Sequence, residues 1–196
     1  MNTKTSRKGQ TEKLALMALL TALVAVLSYF GGFVKIGSLA SISLTLIPVV
    51  LGSALCGPLW GGWLGAVSGL VFFATPDAAF WFGMSIPGTI ITVMIKGFMA
   101  GLCAGLVYNL LKNKNRYLAV LVAAVVAPVV NTGIFIGGCF VFFMDALRNG
   151  SAAEGMSIAA YLIVFFVGLN FVFELLANII LSPALLRILN IREKKN

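Results

Sequence analysis

Apolar residues along this chain come in long unbroken blocks, not in the strict alternation of a half-buried strand or the one-sided stripe of a surface helix. Six blocks stand out, at about 14–30, 43–55, 59–74, 88–111, 117–143 and 157–189. A segment that is apolar all round needs an apolar surrounding, and about 20 such residues cross a bilayer as a helix. The pattern therefore predicts an all-α integral membrane protein, a compact six-transmembrane-helix bundle forming one transmembrane domain over 1–196. The connections carry the breakers. Gly31 to Ile42, containing Lys35, reads as a loop; Cys56-Gly57-Pro58 reads as a tight turn. Thr75 to Pro87, with Pro76 and Asp77, reads as a loop with an interfacial piece near Trp81. The polar stretch with Asp145, Arg148 and Glu154 reads as the loop between the last two spans. Lys4, Arg7, Lys8 and Lys13 precede the first block as in a signal peptide, but that block runs to Phe30 without an A-x-A-like site, so an uncleaved first span is expected.

Composition supports the lipid setting: 60% of residues are hydrophobic and 10% charged, too little polar surface to coat a soluble globule. The formal net charge of +8 sits in short flanks between the blocks, where it sets topology instead of contacting nucleic acid. In the six-span arrangement eleven basic residues lie on one side and only Lys35 and Arg148 on the other, which puts both termini in the cytoplasm. The remaining basic residue, Lys96, falls inside the fourth block. Cys56, Cys103 and Cys139 have no metal-type spacing and the chain has no His, so neither a metal site nor a cofactor is expected. No G-x-x-x-x-G-K-[ST] loop, H-E-x-x-H motif or His-containing triad occurs. ATP hydrolysis and enzyme activity are not expected of this chain, and no inverted repeat with matching broken helices marks it as a self-sufficient carrier.

Gly57, Gly61, Gly65 and Gly69 recur every four residues, as do Gly97, Gly101 and Gly105. Each set lies on one helix face and permits close backbone approach, either within one bundle or between subunits. Ala18 and Ala22 form a similar small pair in the first block. Polar groups in hydrocarbon are costly and usually face a bundle interior. They are Lys96, Asn131, Asn170, Glu174 and Asn178, of which the last three share one helix face. Helical rise puts Lys96, Asn131 and Asn170 at a common depth, roughly 12–20 Å from the outer end of their spans. Two readings stay open: these groups line a pocket, or they form an internal ion pair and amide network. Pro128, just before Asn131 and Gly133, favours a pocket wall. Phe80 and Trp81 suit a cap or an interfacial belt; Phe135, Phe140, Phe142 and Phe143 suit mostly lipid or core contacts, with one or two of them able to stack on a flat ligand.

Taken in order, these features resemble the substrate-binding S components of energy-coupling factor (ECF) vitamin transporters. The basic N-terminal segment, the Ala18/Ala22 pair, Ser43 to Gly52 followed by Gly57-Pro58 and the glycine-spaced helix, Pro128 to Gly138, and Asn170 to Pro183 carry the resemblance. It implies a multi-pass protein of the bacterial plasma membrane that captures a vitamin or related micronutrient in an outward-half pocket closed by Gly31 to Ile42. It further implies docking through Ala18 and Ala22 on a membrane coupling subunit joined to two ATPases, with Lys96, Asn131, Asn170, Glu174, Trp81 and Phe135 as the substrate-binding residues to test. An ammonium in the pocket suits a carboxylate, so pantothenate is the first candidate substrate; riboflavin, stacked on phenylalanine, is the second. A small secondary transporter or channel, and a structural or assembly membrane protein, are the alternatives from other classes.

Overall fold

The computed structural model describes residues 3–31, 35–36, 40–41 and 44–193. Helix α1 spans Thr3–Gly31, beginning well before the apolar block. Two short strands, β1 (Lys35–Ile36) and β2 (Ala40–Ser41), pair antiparallel with Lys35 opposite Ser41. There follow α2 (Leu46–Cys56), α3 (Pro58–Phe72), α4 (Pro76–Met84), α5 (Ile86–Leu111) and α6 (Arg116–Phe142). Then come α7 (Met144–Ala153) and α8 (Ile158–Leu162), a π-helical turn at Ile163–Val167, and α9 (Gly168–Glu193). The chain is thus almost entirely helical. Most of the loop expected at Gly31 to Ile42 lies outside the described residues.

Among the described residues, four segments are long and apolar enough to cross a membrane unaided: Gln10–Gly31, Ile86–Leu111, Arg116–Phe142 and Ile158–Ile191. The expected third span is α3, which bends by 85° into α4, and the pair together makes at most a fifth crossing. The expected second span is the 11-residue α2. At 1.5 Å per residue it is roughly 17 Å long, about half the thickness of a hydrocarbon core. Its burial compensates: Leu46, Val49 and Val50 are enclosed by other helices and need no lipid.

Two expected loops are helices instead. Thr75 to Pro87 folds into α4, because Pro76 at its start has a ring that suits a first helical turn and Asp77 complements the helix dipole there. The polar stretch after Phe143 folds into α7, burying Leu147 and Ser151 on one side. The last span is likewise not uniform, since the π turn interrupts it.

The glycine repeats meet each other. A β-carbon on Gly65 would run into the backbone carbonyl of Gly97 and one on Gly97 into that of Gly65, while Gly61 and Gly101 face each other in the same way. The α3 and α5 backbones therefore touch along a seam inside one chain, which accounts for both four-residue repeats. At the head of this seam Gly57, at φ 108°, turns α2 into α3, a conformation that favours glycine, and Pro58 follows as the first residue of α3.

Packing divides the bundle lengthwise. In one half, Leu46, Val50, Ala100, Ala104, Tyr108, Ala119, Val120, Ala123, Ala127, Leu185 and Leu189 form a dense core of α2, α5, α6 and α9. Met17, Leu20, Val24, Val49 and Leu64 join α1, α2 and α3 beside it. Lys112, Lys114 and Arg116, which connect α5 to α6, cluster at this end of the helices. The other half of the same helices surrounds a cavity.

Candidate functional site

That cavity measures about 600 Å³, within the range of small-molecule sites. Its lining draws Ser28 from α1, Thr45 ahead of α2, Ser68 and Phe72 from α3, and Asp77 and Trp81 from α4. Thr92 and Lys96 come from α5, Asn131 and Phe135 from α6, Phe166 from the π turn, and Asn170 and Glu174 from α9. All six residues singled out from the sequence as substrate contacts, Lys96, Asn131, Asn170, Glu174, Trp81 and Phe135, line this one space. Asn178, at the end of the same stripe, does not. Its Nδ2 donates to the Glu174 carbonyl at 2.8 Å, a local bond within α9.

The roof is aromatic. The Trp81 ring lies 5.3 Å from Phe135, 5.3 Å from Phe143 and 5.2 Å from Phe166, edge-on or tilted to each. Phe80 stacks on Phe166 at 6.2 Å, and Tyr161 lies 5.7 Å from the same ring. Local bonds fix this roof to α5. Ser85 caps α5 by accepting from the Gly88 amide at 3.2 Å, and Thr89 Oγ1 lies 2.7 Å and 2.9 Å from the Ser85 and Trp81 carbonyls. Phe166 reaches the roof because the π turn inserts an extra residue per turn and re-aims this part of the helix. Trp81→Ala is expected to cost roughly 2–3 kcal/mol of stability. Thermal unfolding in detergent measures that loss.

The floor is polar. The Lys96 ammonium lies 5.8 Å from the Phe72 ring centroid and 5.1 Å from that of Phe135, two cation–π contacts that hold a charge within the bundle. Glu174, 4% exposed, faces Lys96 electrostatically, and Asn131 lines the same floor from α6. Three buried polar atoms in the lining have no hydrogen-bond partner: Thr92 Oγ1, Asn170 Oδ1 and Glu174 Oε2. Both readings left open by the sequence thus contain part of the arrangement. Lys96 and Glu174 do face each other, and with Asn131 they do so around a cavity that holds polar atoms without a protein partner.

Several lining residues escaped sequence reading. Ser28, Thr45, Ser68, Thr92 and Thr132 are short hydroxyl side chains that membrane helices tolerate anywhere, so nothing in their spacing marked them. Phe165 and Phe166 were hidden by the π turn, and Tyr161 lies in the short α8 just before it. Among the described residues no three of His, Cys, Asp and Glu come together to hold a metal ion.

A helical bundle packed solid in one half and hollow, polar-floored and aromatic-roofed in the other is the architecture of a multi-pass membrane protein with an internal cavity. The family model described as the ECF transporter, substrate-specific component, matches residues 12–188, and the chain belongs to that family. Members are the substrate-binding subunits of transporters and not enzymes, and they work with a coupling subunit and ATPases. No curated protein and no solved structure matches the chain.

Proposed function

We propose that this chain captures a vitamin-like micronutrient in the 600 Å³ cavity and presents it to a coupling subunit for ATP-driven uptake. The convergence of Lys96, Asn131, Asn170 and Glu174, from three helices, beneath the Trp81–Phe135 roof carries this reading. A merely structural network would close on itself. This one leaves polar atoms that line the cavity without a protein partner, available to a ligand.

The cavity lies at the end of the bundle away from Lys112, Lys114 and Arg116. With those residues in the cytoplasm by the positive-inside rule, it opens from the outward half of the membrane, where an uptake substrate arrives. Both termini are then cytoplasmic. On α1, Ala18 and Ala22 point away from the bundle, opposite the buried Met17, Leu20 and Val24. This exposed small-residue face is the docking surface for the coupling subunit. Lys96 suits the carboxylate of pantothenate, and the aromatic roof suits the flat ring of riboflavin.

Two measurements test the reading. Affinity capture from the native membrane should bring down a coupling subunit and ATPases, and reproducible isolation without them counts against it. Lys96→Ala should weaken binding of the transported substrate at least tenfold while the protein stays folded in detergent. An unchanged affinity by calorimetric titration removes Lys96 from the site.

A further inference from the structure

The last span changes register where it passes the cavity. In a regular α-helix residues seven positions apart lie within about 20° of each other around the axis. Val167 and Glu174 are such a pair, and both line the cavity. By the same rule Ile163 should share the face of Asn170. Asn170 lines the cavity, but Ile163 is 55% exposed. The inward place belongs instead to Leu162, which is 3% exposed and packs with Cys139, Phe143 and Leu147. Between α9 and α8 the inward face has moved by one residue, the offset that one surplus residue in the π turn produces.

This offset decides what the span gives to the site. Beyond it α9 supplies Asn170 and Glu174 to the floor; before it α8 supplies Tyr161 to the wall and Leu162 behind the roof. Tyr161 backs the roof directly, its ring 4.8 Å from Phe165 and 5.7 Å from Phe166, with its hydroxyl where a β-carbon on Gly150 of α7 would stand. In an unbroken α-helix anchored on Asn170, Ile163 would turn inward, Leu162 would lie about 80° from that face, and Tyr161 would lie opposite it. One regular helix cannot furnish both this floor and this wall.

The bond that closes the π turn runs from the Gly168 amide to the Ile163 carbonyl, five residues back. A β-carbon at position 168 would stand 2.7 Å from that same oxygen, closer than a carbon and an oxygen pack, and a backbone carbonyl cannot swing aside. Gly168 has φ −51°, ordinary for any residue, so the position requires the missing side chain and not conformational freedom. We infer that Gly168 is a positioning residue of the substrate site: it admits the π turn, which sets α8 one residue out of register with α9 so that a single span supplies both the polar floor and the ring that backs the roof. The inference rests on the capture reading above only in naming the cavity a substrate site.

Trp81 reports on the roof. In the full chain carrying Trp60→Phe and Trp63→Phe it is the sole tryptophan, and quenching of its fluorescence by acrylamide measures closure with no ligand present. Adding Gly168→Ala should restore a regular helix, withdraw Tyr161 from the wall and raise the quenching constant at least twofold. Deleting Ile163 from that variant removes the surplus residue, so a regular helix again turns Leu162 inward, and quenching should return to the parent value. A helix merely weakened by an added methyl group would not be mended by losing a residue. Thermal stabilisation by pantothenate and by riboflavin carries the comparison to binding, because a ligand specific for the folded state raises the unfolding temperature. The shift given by the probe that binds should fall in Gly168→Ala and recover in the deletion variant. Unchanged quenching in Gly168→Ala overturns the inference. So does a loss of fold or of closure that the deletion fails to restore, or a probe shift that stays the same while quenching rises. Quenching that follows the expected course while neither probe stabilises the parent chain upholds the register role of Gly168 and counts against the capture reading.

Discussion

Gly65→Leu is expected to prevent the bundle from closing, with loss of the monodisperse, cooperatively unfolding protein in detergent. The reason is the identity of the atom that would be struck. A β-carbon at Gly65 runs into the backbone carbonyl of Gly97, and a backbone carbonyl in mid-helix cannot rotate aside as a side chain can. The helices would have to separate, and separation would undo the Gly61–Gly101 contact and the Gly105 contact with Pro58 along the same seam. Overpacking a well-filled core costs about 1–3 kcal/mol, and backbone clashes fall at or above the top of that range. Gly137 supplies the control. Nothing lies within 4 Å of a β-carbon there, so Gly137→Ala should leave the unfolding temperature unchanged or slightly raised. If Gly65→Leu unfolds at the temperature of the parent chain, the α3–α5 seam is not what holds these helices together.

Ala18→Trp should abolish assembly with the coupling subunit and spare ligand binding. Small residues allow two helices to approach until their backbones pack, and the attraction between helices in lipid comes largely from that packing. An indole at the centre of the face forces the partners apart and forfeits it. The same substitution is harmless to the site, because Ala18 is exposed and the nearest α1 lining residue, Ser28, lies ten positions away, roughly 15 Å along the helix. Capture of the ATPases by tagged chain, run beside a ligand titration, separates the two effects. Normal assembly by the variant removes Ala18 from the docking surface; loss of both activities points to a folding defect instead.

The lipid setting and most of the helices were legible because a bilayer imposes its demand segment by segment. Each stretch must be apolar and must satisfy its own backbone, and both conditions are written locally. Local signals misled where breakers doubled as starters. Pro76 and Pro87 read as the ends of a loop, yet proline also suits the first turn of a helix, and they open α4 and α5. Met144–Ala153 read as loop from its polarity, yet a short helix needs only one covered side, which Leu147 supplies. The π turn left no signature, because Ile163–Val167 is as apolar as any regular helix around it.

The cost of burying a charge or an amide in hydrocarbon singles out Lys96, Asn131, Asn170 and Glu174 in the sequence, and helical rise puts three of them at one depth. Depth is a property of each helix alone. Whether those side chains face one another depends on how each helix is rotated about its axis, which the glycine seam and the alanine-rich core of α5 and α6 decide. The hydroxyls of Thr45 and Thr92 and the rings of Phe165 and Phe166 enter the site only through that rotation and through the register shift of the π turn. Sequence alone determined the solvent, the helical class and the few polar groups expensive enough to need a reason. The tertiary structure decided that they share one cavity, because convergence is a relation between helices that no single segment encodes.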